Sequence, residues 1–223
     1  MTKAEREAKL KARHAEMSAF DAQYRRAYGN IGGVDEVGRG PLAGPVVTAC
    51  VVLPEDFDVL GVDDSKKLSL KKREELYDQI LDRALAVGIG ICDNETIDEI
   101  NILEATKRAM VQSIEKADKV LQKRDLGLLE HVLIDAVKLS GISQTQTNII
   151  KGDATSLSIA AASIVAKVTR DRMMMAYAEE YPWSGFESNM GYGTKKHYEG
   201  IRSHGITPIH RKSFLKGYVN AEI

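Results

Sequence analysis

Short apolar runs rich in valine and isoleucine alternate along this chain with longer amphipathic or alanine-rich stretches, and glycine or proline bounds many of the short runs. Runs of about four to eight such residues are typical of strands, whereas the longer stretches are typical of helices. The first two runs, 31–37 and 45–53, are joined by the short link 38–44, which favours a hairpin. Strands and helices then alternate, so the sequence predicts an α/β fold with a mixed central sheet and helices on its faces.

The remaining elements follow from hydrophobic period and from capping residues. Ser69 and Thr194 are suited to begin helices, and Gly205 is suited to end one. Further strands are predicted at 87–92, 131–135 and 147–151. Helices are predicted at 3–28, 69–86, 101–122, 156–180 and 194–205.

The first helix carries a single apolar stripe. Its members fall on one helical face: Leu10, Met17, Phe20, Tyr24 and Tyr28. Packing against the rest of the protein is the simpler interpretation of this stripe, and an arm that clasps a substrate is the alternative. We therefore predict an N-terminal amphipathic helix at 1–29, a main domain at 30–180, and a C-terminal loop and helical segment at 181–223.

Composition narrows the function classes only a little. The formal net charge of −1 does not by itself announce a nucleic-acid partner, although lysine and arginine exceed the acids in 1–29 and in 163–223. No apolar run approaches the roughly 20 residues of a membrane span, so we expect no membrane partner. Cys50 and Cys92 lack the spacing of a zinc site, and two lone thiols suit a reducing cytoplasm.

Four acids stand at or just beyond the ends of apolar strands: Asp35, Glu36, Asp135 and Asp153. An acid that ends a buried strand is costly unless it binds a cation or a hydrogen-bond donor. If these four converge, their oxygens suit Mg²⁺ or Mn²⁺, and such ions can activate water against a phosphodiester. Each acid taken alone is more simply a cap or a surface charge. Neighbours on a regular strand also point to opposite faces, so Asp35 and Glu36 share a site only if their strand twists, bulges or ends there.

A glycine-rich turn follows the first acids directly. In Gly38-Arg39-Gly40 the glycines let the backbone approach a ligand closely, and the arginine can grip a phosphate. Such a backbone could hydrogen-bond the 2′-hydroxyl that distinguishes RNA from DNA, although an ordinary turn is an equally good interpretation. The long irregular segment 181–193 is a second candidate for function, since long loops on a compact scaffold often bind ligands.

Residues 33–46 read GVDEVGRGPLAGPV, a string that resembles the type 2 ribonuclease H family and its bacterial ribonuclease HII branch in particular. Further matching strings follow in the same order: DSKKLS at 64–69, NIL at 101–103, LID at 133–135, KGDATSLSIAAASIVAKVTRD at 151–171 and GYGTKKH at 191–197. The resemblance extends over about residues 31–217 and implies a ribonuclease H-like fold with two divalent ions, Mn²⁺ or Mg²⁺. One departure is Ala136, where the family usually has glycine, and we expect it to be a mild change.

The resemblance also implies that 30–180 is a ribonuclease H-like catalytic domain and that 181–223 binds substrate, and it implies roles for individual residues. Asp35, Glu36 and Asp135 would be metal ligands and Asp153 the fourth catalytic acid, with Asp171 a weaker rival that an ion pair explains better. The residues implied in substrate binding are Gly38, Arg39, Gly40, Ser65, Lys66, Lys67 and Tyr192. Tyr192 would stack on the sugar that follows the ribonucleotide, with core packing as the alternative. Lys195, Lys196 and Arg211 would either hold phosphates or be ordinary surface.

The activity implied is that of an endonuclease on RNA/DNA hybrids and on duplex DNA with embedded ribonucleotides. It would cut on the 5′ side of the ribonucleotide and leave 3′-hydroxyl and 5′-phosphate ends. We expect a monomer with no obligate protein partner. The alternatives are a metal-dependent nuclease or recombinase acting on DNA alone, a non-catalytic nucleic-acid binding module, and a metal-free hydrolase with a carboxylate pair.

Overall fold

The computed structural model describes residues 2–219, and its elements follow the alternation in the sequence. The strands are β1 (Ile31–Val37), β2 (Val46–Val52), β3 (Ala86–Cys92), β4 (His131–Asp135) and β5 (Thr145–Ile149). The α-helices are α1 (Lys3–Tyr28), α2 (Leu70–Arg83), α3 (Asn94–Lys123), α4 (Leu157–Glu180), α5 (Phe186–Asn189), α6 (Lys195–His204) and α7 (Lys216–Val219). Short 3-10 turns occur at Ser65–Lys67, Gly152–Ala154 and Lys212–Phe214.

The five strands form one mixed sheet in the order β3-β2-β1-β4-β5. β1 and β2 form the expected antiparallel hairpin, and β3 adds antiparallel to β2. β4 lies parallel to both β1 and β5. The prediction of an α/β fold with a mixed sheet is confirmed.

Helices cover both faces of this sheet. Because side chains alternate along a strand, Val51 of β2 packs with α4 and α2 on one face, whereas Cys50 packs with α3 on the other. Two glycines of β3 allow α3 to approach closely, since a Cβ at Gly88 or Gly90 would lie within 2.0 Å of a carbonyl oxygen of that helix. The prediction of helices on both faces is therefore confirmed.

Two elements differ from the prediction. β5 begins at Thr145, two residues earlier than expected, because its sequence is polar and gives little apolar signal. α3 begins at Asn94, and the predicted start falls instead on a kink at Asn101, where φ is 68°. The Asn101 side chain accepts hydrogen bonds from the N–H groups of Leu103 and Glu104, so it begins a second helical segment as a cap does.

The N-terminal helix packs on the domain through most of its predicted stripe. Met17 is buried with α2 and α4, and Phe20 and Tyr24 lie against Ile31 and its neighbours. Tyr28 stays 41% exposed but stacks on His131, with ring centroids 4.0 Å apart. No helix within residues 2–219 has the length and apolar character needed to cross a membrane. The predicted segments 1–29 and 181–223 include residue 1 and residues 220–223, which lie outside the described residues.

Candidate active site

Parallel pairing of β1 with β4 brings two predicted acids to one edge of the sheet. The register pairs Val34 with Ile134, so Asp35 and Asp135 follow the last paired residues side by side. Both acids fall on the α4 face, because Val34 and Ile134 pack on the α3 face. Beyond this point β1 keeps only its β2 partner as far as Val37. We call this end of β1 and β4, with its acids, the carboxylate edge.

Glu36 is close enough to Asp135 to be affected by its charge, although neighbouring residues of a regular strand point to opposite faces. β1 does not end at Glu36, which still pairs with Thr48. The expected end of the strand comes only at Val37, just before Gly38. Asp135 nevertheless acts on both acids, because its negative charge contributes to raising the pKa of Asp35 and the pKa of Glu36.

Burial and neighbouring negative charges disfavour the ionised form of these carboxyl groups. Burial raises the pKa of Asp35 well above its ordinary value, and the Glu36 charge adds to the effect. Burial also raises the pKa of Glu36, although the Arg39 guanidinium, 3.4 Å from Glu36 Oε1, opposes the shift. Crowded carboxylates with too few counter-charges are stabilised by a bound cation.

A tight turn carries Asp153 to the carboxylate edge. Lys151 has a φ of 57°, and the turn Gly152–Ala154 follows it. The Gly152 N–H donates to Asp135 Oδ1 at 2.9 Å, and a Cβ on Gly152 would lie 2.6 Å from Ile159. Burial raises the pKa of Asp153, with further contributions from Asp64 and Asp135. The Gly152 N–H thus ties this turn to β4, and the absence of a Cβ leaves room for the Ile159 side chain of α4.

The donor set fits a hard divalent cation. Glu36 Oε2 is buried and has no hydrogen-bond partner within the described residues, so it is an acceptor in need of a positive partner. Carboxylate oxygens without histidine or cysteine suit Mg²⁺ or Mn²⁺ rather than zinc. Across residues 2–219, however, no three acidic, histidine or cysteine side chains already converge as a group that could hold an ion. The chemistry of the donors therefore fits, while the side chains do not form a closed coordination shell by themselves.

The segment 63–67 supplies positive charge near these acids. Lys66 Nζ lies 3.9 Å from Asp153 Oδ2. Burial lowers the pKa of Lys66, but the carboxylates of Asp153 and Asp35 outweigh this and raise it. Lys66 and Lys67 are exposed, as phosphate contacts must be. Ser65, the residue before them, is buried, and its hydroxyl lies 2.9 Å from the Ser163 hydroxyl of α4.

Two fully buried arginines clamp residues 38–45, which we call the recognition loop. Arg211 donates to the carbonyl oxygens of Gly38, Arg39 and Gly44 at 2.6–3.0 Å. Arg170 donates to the carbonyl oxygens of Pro45, Ala43 and Met190 at 2.9–3.1 Å. Burial lowers the pKa of Arg211 to about 9 and the pKa of Arg170 to about 10. Both expectations for Arg211, a phosphate contact or an ordinary surface residue, are therefore wrong, because its guanidinium is buried and hydrogen-bonds to backbone carbonyls.

The arginine clamp orients the peptide groups of the recognition loop. In a planar trans peptide the C=O and the following N–H point in opposite directions. The carbonyls of Gly38 and Arg39 point inward to Arg211, so the N–H groups of Arg39 and Gly40 point away from it. Neither N–H donates to a protein acceptor within residues 2–219. The loop thus offers two free donors beside the carboxylate edge.

Tyr192 lies beside this loop and is 45% exposed. Its ring is near Gly40, where an added Cβ would lie 3.6 Å from Tyr192 Cε1. Its backbone is firmly held, since its N–H donates to the Asn189 carbonyl and its carbonyl accepts from Thr194 N–H and His197 Nδ1. The alternative of core packing is wrong for the Tyr192 ring.

Three other predictions have clear outcomes. Asp171 pairs with Lys167 at 2.7 Å within α4, so the ion-pair interpretation is confirmed. Lys195 and Lys196 are exposed, and Lys195 lies 3.9 Å from Glu199. Ala136 directly follows Asp135 with a φ of 52°, a left-handed conformation that explains why glycine suits this position better.

Sequence reasoning missed several residues of the site. The residue pattern singles out none of Arg170, Ser163 and Asp64. Ser163 lies in the string KGDATSLSIAAASIVAKVTRD, one helical turn before Lys167, and its face of α4 could have been read from helical period. No periodic signal identifies Arg170, because its partners are backbone carbonyls of a distant loop.

Comparison with known proteins gives a consistent result. The family model described as Ribonuclease HII matches residues 32–217. A curated Ribonuclease HII from Enterococcus faecalis (strain ATCC 700802 / V583) is 55% identical over 201 residues, covering 89% of this chain and 75% of the relative. A Ribonuclease HII from Ligilactobacillus salivarius (strain UCC118) is 59% identical over 184 residues, covering 82% of this chain and 69% of the relative.

A solved structure agrees with the fold. The crystal structure of the ribonuclease H2 from Pyrococcus horikoshii OT3 is similar with a TM-score of 0.68 and 26% sequence identity. The similarity covers 82% of this chain and 93% of that protein. The ribonuclease H-like arrangement expected from the sequence strings is confirmed by this likeness.

Proposed function

The chain belongs to the ribonuclease HII family, metal-dependent endonucleases that hydrolyse RNA in RNA/DNA hybrids, and on that premise we propose that it also cuts duplex DNA on the 5′ side of a single embedded ribonucleotide. The products carry 3′-hydroxyl and 5′-phosphate ends. The biological setting of this proposal is the removal of ribonucleotides from DNA in the cytoplasm, by a monomer that needs no obligate protein partner.

One observation carries the proposal. The free N–H groups of Arg39 and Gly40 lie on the recognition loop directly after the acids of β1. A 2′-hydroxyl can accept such hydrogen bonds, and a deoxyribose has no group to do so. These two backbone donors contact the sugar and not the base. The enzyme therefore has little sequence preference.

Asp35, Glu36 and Asp135 are the residues we propose to hold Mg²⁺ or Mn²⁺, with Asp153 as the fourth catalytic acid. Two ions bound there would supply the chemistry of lowering the pKa of a water molecule and of neutralising the charge on the departing 3′-oxygen. The Gly152 N–H keeps one Asp135 oxygen oriented and fixes the turn that carries Asp153. The orphaned oxygen of Glu36 supports its assignment as a ligand.

Substrate is proposed to lie along the recognition loop and the segment 63–67. Lys66 and Lys67 extend exposed ammonium groups that suit backbone phosphates, which position a duplex without reading its sequence. Ser65 holds this segment against α4 through Ser163, so its part is to position the two lysines. Tyr192 stacks on the sugar after the ribonucleotide, a contact that its exposed ring beside Gly40 supports. In this proposal residues 30–180 supply the acids, and residues 181–223 complete the substrate surface.

Three matched duplexes test the proposal: one all-DNA, one with a single ribonucleotide, and one with a full RNA strand. We expect cleavage of the second and third with Mg²⁺ or Mn²⁺, none of the first, and none of any in excess chelator. Mapping the ends of the second duplex should give a cut 5′ of the ribonucleotide. Equal cutting of the all-DNA duplex indicates a DNA nuclease instead. Binding without cleavage indicates a binding module, and activity in chelator indicates a metal-free hydrolase.

A further inference from the structure

Two buried histidines connect the Tyr192 backbone to the recognition loop. His197 Nδ1 lies 2.9 Å from the Tyr192 carbonyl oxygen, and His197 Nε2 lies 3.0 Å from His210 Nε2. His210 Nδ1 in turn lies 2.8 Å from the Thr207 backbone nitrogen and 2.7 Å from its hydroxyl. We call His197 and His210 the histidine pair.

The two ends of this chain fix the direction of every hydrogen bond in it. The Thr207 N–H can only donate, so His210 Nδ1 accepts and His210 carries its proton on Nε2. That proton is donated to His197 Nε2, which leaves the His197 proton on Nδ1. Nδ1 then donates to the Tyr192 carbonyl, which can only accept. Only two neutral rings in these two tautomers satisfy all the contacts.

The surroundings favour that neutral state. Phe186 meets both rings, at centroid distances of 5.3 and 5.9 Å, and Trp183 stacks parallel to His210. The neighbouring cation Arg211 turns its guanidinium to the recognition loop, and His204 stacks on Trp183. Within the described residues no carboxylate forms an ion pair with either histidine ring. A proton added to either ring would therefore face another hydrogen-bond donor, and it would place a positive charge in a buried site without a counter-charge.

His210 is also joined to the recognition loop through its backbone. It forms an isolated antiparallel bridge with Ala43. On either side of it, the Gly44 N–H donates to the Ile209 carbonyl at 2.9 Å and the Arg211 N–H donates to the Leu42 carbonyl at 2.8 Å. The backbone around His210 is thus bonded to the recognition loop, and the His197 ring is bonded to the Tyr192 carbonyl.

We infer that the histidine pair positions Tyr192 relative to the recognition loop, and so sets the geometry with which the ribonucleotide is read. The inference rests on the proposed function, in which Tyr192 stacks on a sugar whose 2′-hydroxyl the loop binds. His197 and His210 touch neither the substrate nor the carboxylates. They act through the Tyr192 carbonyl as positioning residues.

The wild-type protein gives the first test. Nitrogen-15 NMR of the imidazoles near neutral pH reports the tautomer of each ring. We expect His197 to be protonated on Nδ1 and His210 on Nε2, with both rings neutral. A His197 ring protonated on Nε2 would overturn the inference, because it could not then donate to Tyr192. This measurement requires no variant to fold.

Two substitutions at His197 give the second test. Asn places its amide near the Nδ1 position and can still donate to the Tyr192 carbonyl, whereas Gln reaches the Nε2 position and retains only the His210 contact. The readout is kcat/KM on the single-ribonucleotide duplex divided by kcat/KM on the full hybrid. We expect His197→Gln to lower this ratio about tenfold, the effect of one lost hydrogen bond, and His197→Asn to recover most of it. Equal ratios in the two variants contradict the inference.

Matched controls separate this inference from the proposed function. His204→Gln, on the same helix but outside the chain of hydrogen bonds, should leave the ratio unchanged. Tyr192→Ala should lower the ratio, and adding His197→Gln to it should lower the ratio no further. No effect of Tyr192→Ala refutes the role proposed for Tyr192 and this inference with it. A lowered ratio in Tyr192→Ala with an unchanged ratio in His197→Gln refutes this inference alone.

Discussion

Replacing Arg211 with Met should release the recognition loop while leaving the carboxylate edge in place. Arg211 donates four hydrogen bonds to three carbonyl oxygens, of Gly38, Arg39 and Gly44. Met fills much of the same volume but donates nothing, so each carbonyl loses its partner at a cost of about 1 kcal/mol. The free energy of unfolding should therefore fall by about 2 kcal/mol, because relief of the buried charge offsets part of the roughly 3 kcal/mol lost at the three carbonyls.

Urea unfolding measures the stability change, and cleavage assays measure its effect on recognition. If the loop loses its clamp, cleavage at a single ribonucleotide should fall by at least about tenfold, which corresponds to one misplaced hydrogen bond of about 1.4 kcal/mol. Arg202→Met, on the exposed side of α6, is the matched control and should change neither quantity. Arg211→Lys retains the charge but not the planar fork, and should fall between the two. A loss below about 1 kcal/mol in Arg211→Met, with normal cleavage, would refute the clamp.

Four further predictions follow from other parts of the structure. Asp135→Asn should abolish cleavage with an unchanged circular dichroism spectrum, and retained turnover at saturating Mn²⁺ would argue against its role as a ligand. Tyr192→Ala should lower cleavage at a single ribonucleotide more than duplex affinity measured by anisotropy, and a uniform loss of binding would make the residue structural. Ala136→Gly should raise the free energy of unfolding by about 0.5–1 kcal/mol, because it relieves a positive φ, and a destabilised variant would contradict this account. Burial, followed by the neighbouring His197, lowers the pKa of His210 from 6.5 to about 4. Below pH 6.5 the unfolded chain binds this proton first, so stability should be complete above that pH and should fall by up to about 3 kcal/mol toward pH 4. Urea midpoints at several pH values should therefore fall more steeply for the wild type than for His210→Asn, and parallel slopes would count against the shift.

Most strands of the sheet could be predicted because they are short apolar runs with clear boundaries. β1 and β2 are short runs bounded by glycine and proline, and the period of two places their alternate residues on opposite faces. The predicted bounds of β5 lie two residues too late in the sequence. Its sequence, TQTNI, is polar, as an edge strand can be, and gives little apolar signal. The kink of α3 was hidden for another reason: asparagine tolerates a positive φ, but the sequence alone does not reveal that Asn101 adopts it.

In the candidate site, the side-by-side placement of two acids could be predicted from the sequence, and the contacts that support the nearby loop could not. Asp35 and Asp135 were found because each follows an apolar run, and parallel pairing of adjacent strands then brings them together. Arg211 was misjudged because arginine is rarely fully buried, and the general expectation for it is exposure. Its partners are carbonyl groups, which every residue carries, so no pattern of residue types marks the contact. The same holds for His197 and the carbonyl of Tyr192.

The arginine clamp joins parts of the chain that are synthesised far apart in time. Arg211 lies 167 positions after Gly44, so the loop that it holds is synthesised well before its clamp. During translation β1 and β2 can pair early, but the peptide groups of Gly38 and Arg39 acquire their final orientation only when Arg211 has emerged. A nascent chain in which β1 and β2 are already paired therefore still lacks the side chain that orders residues 38–45.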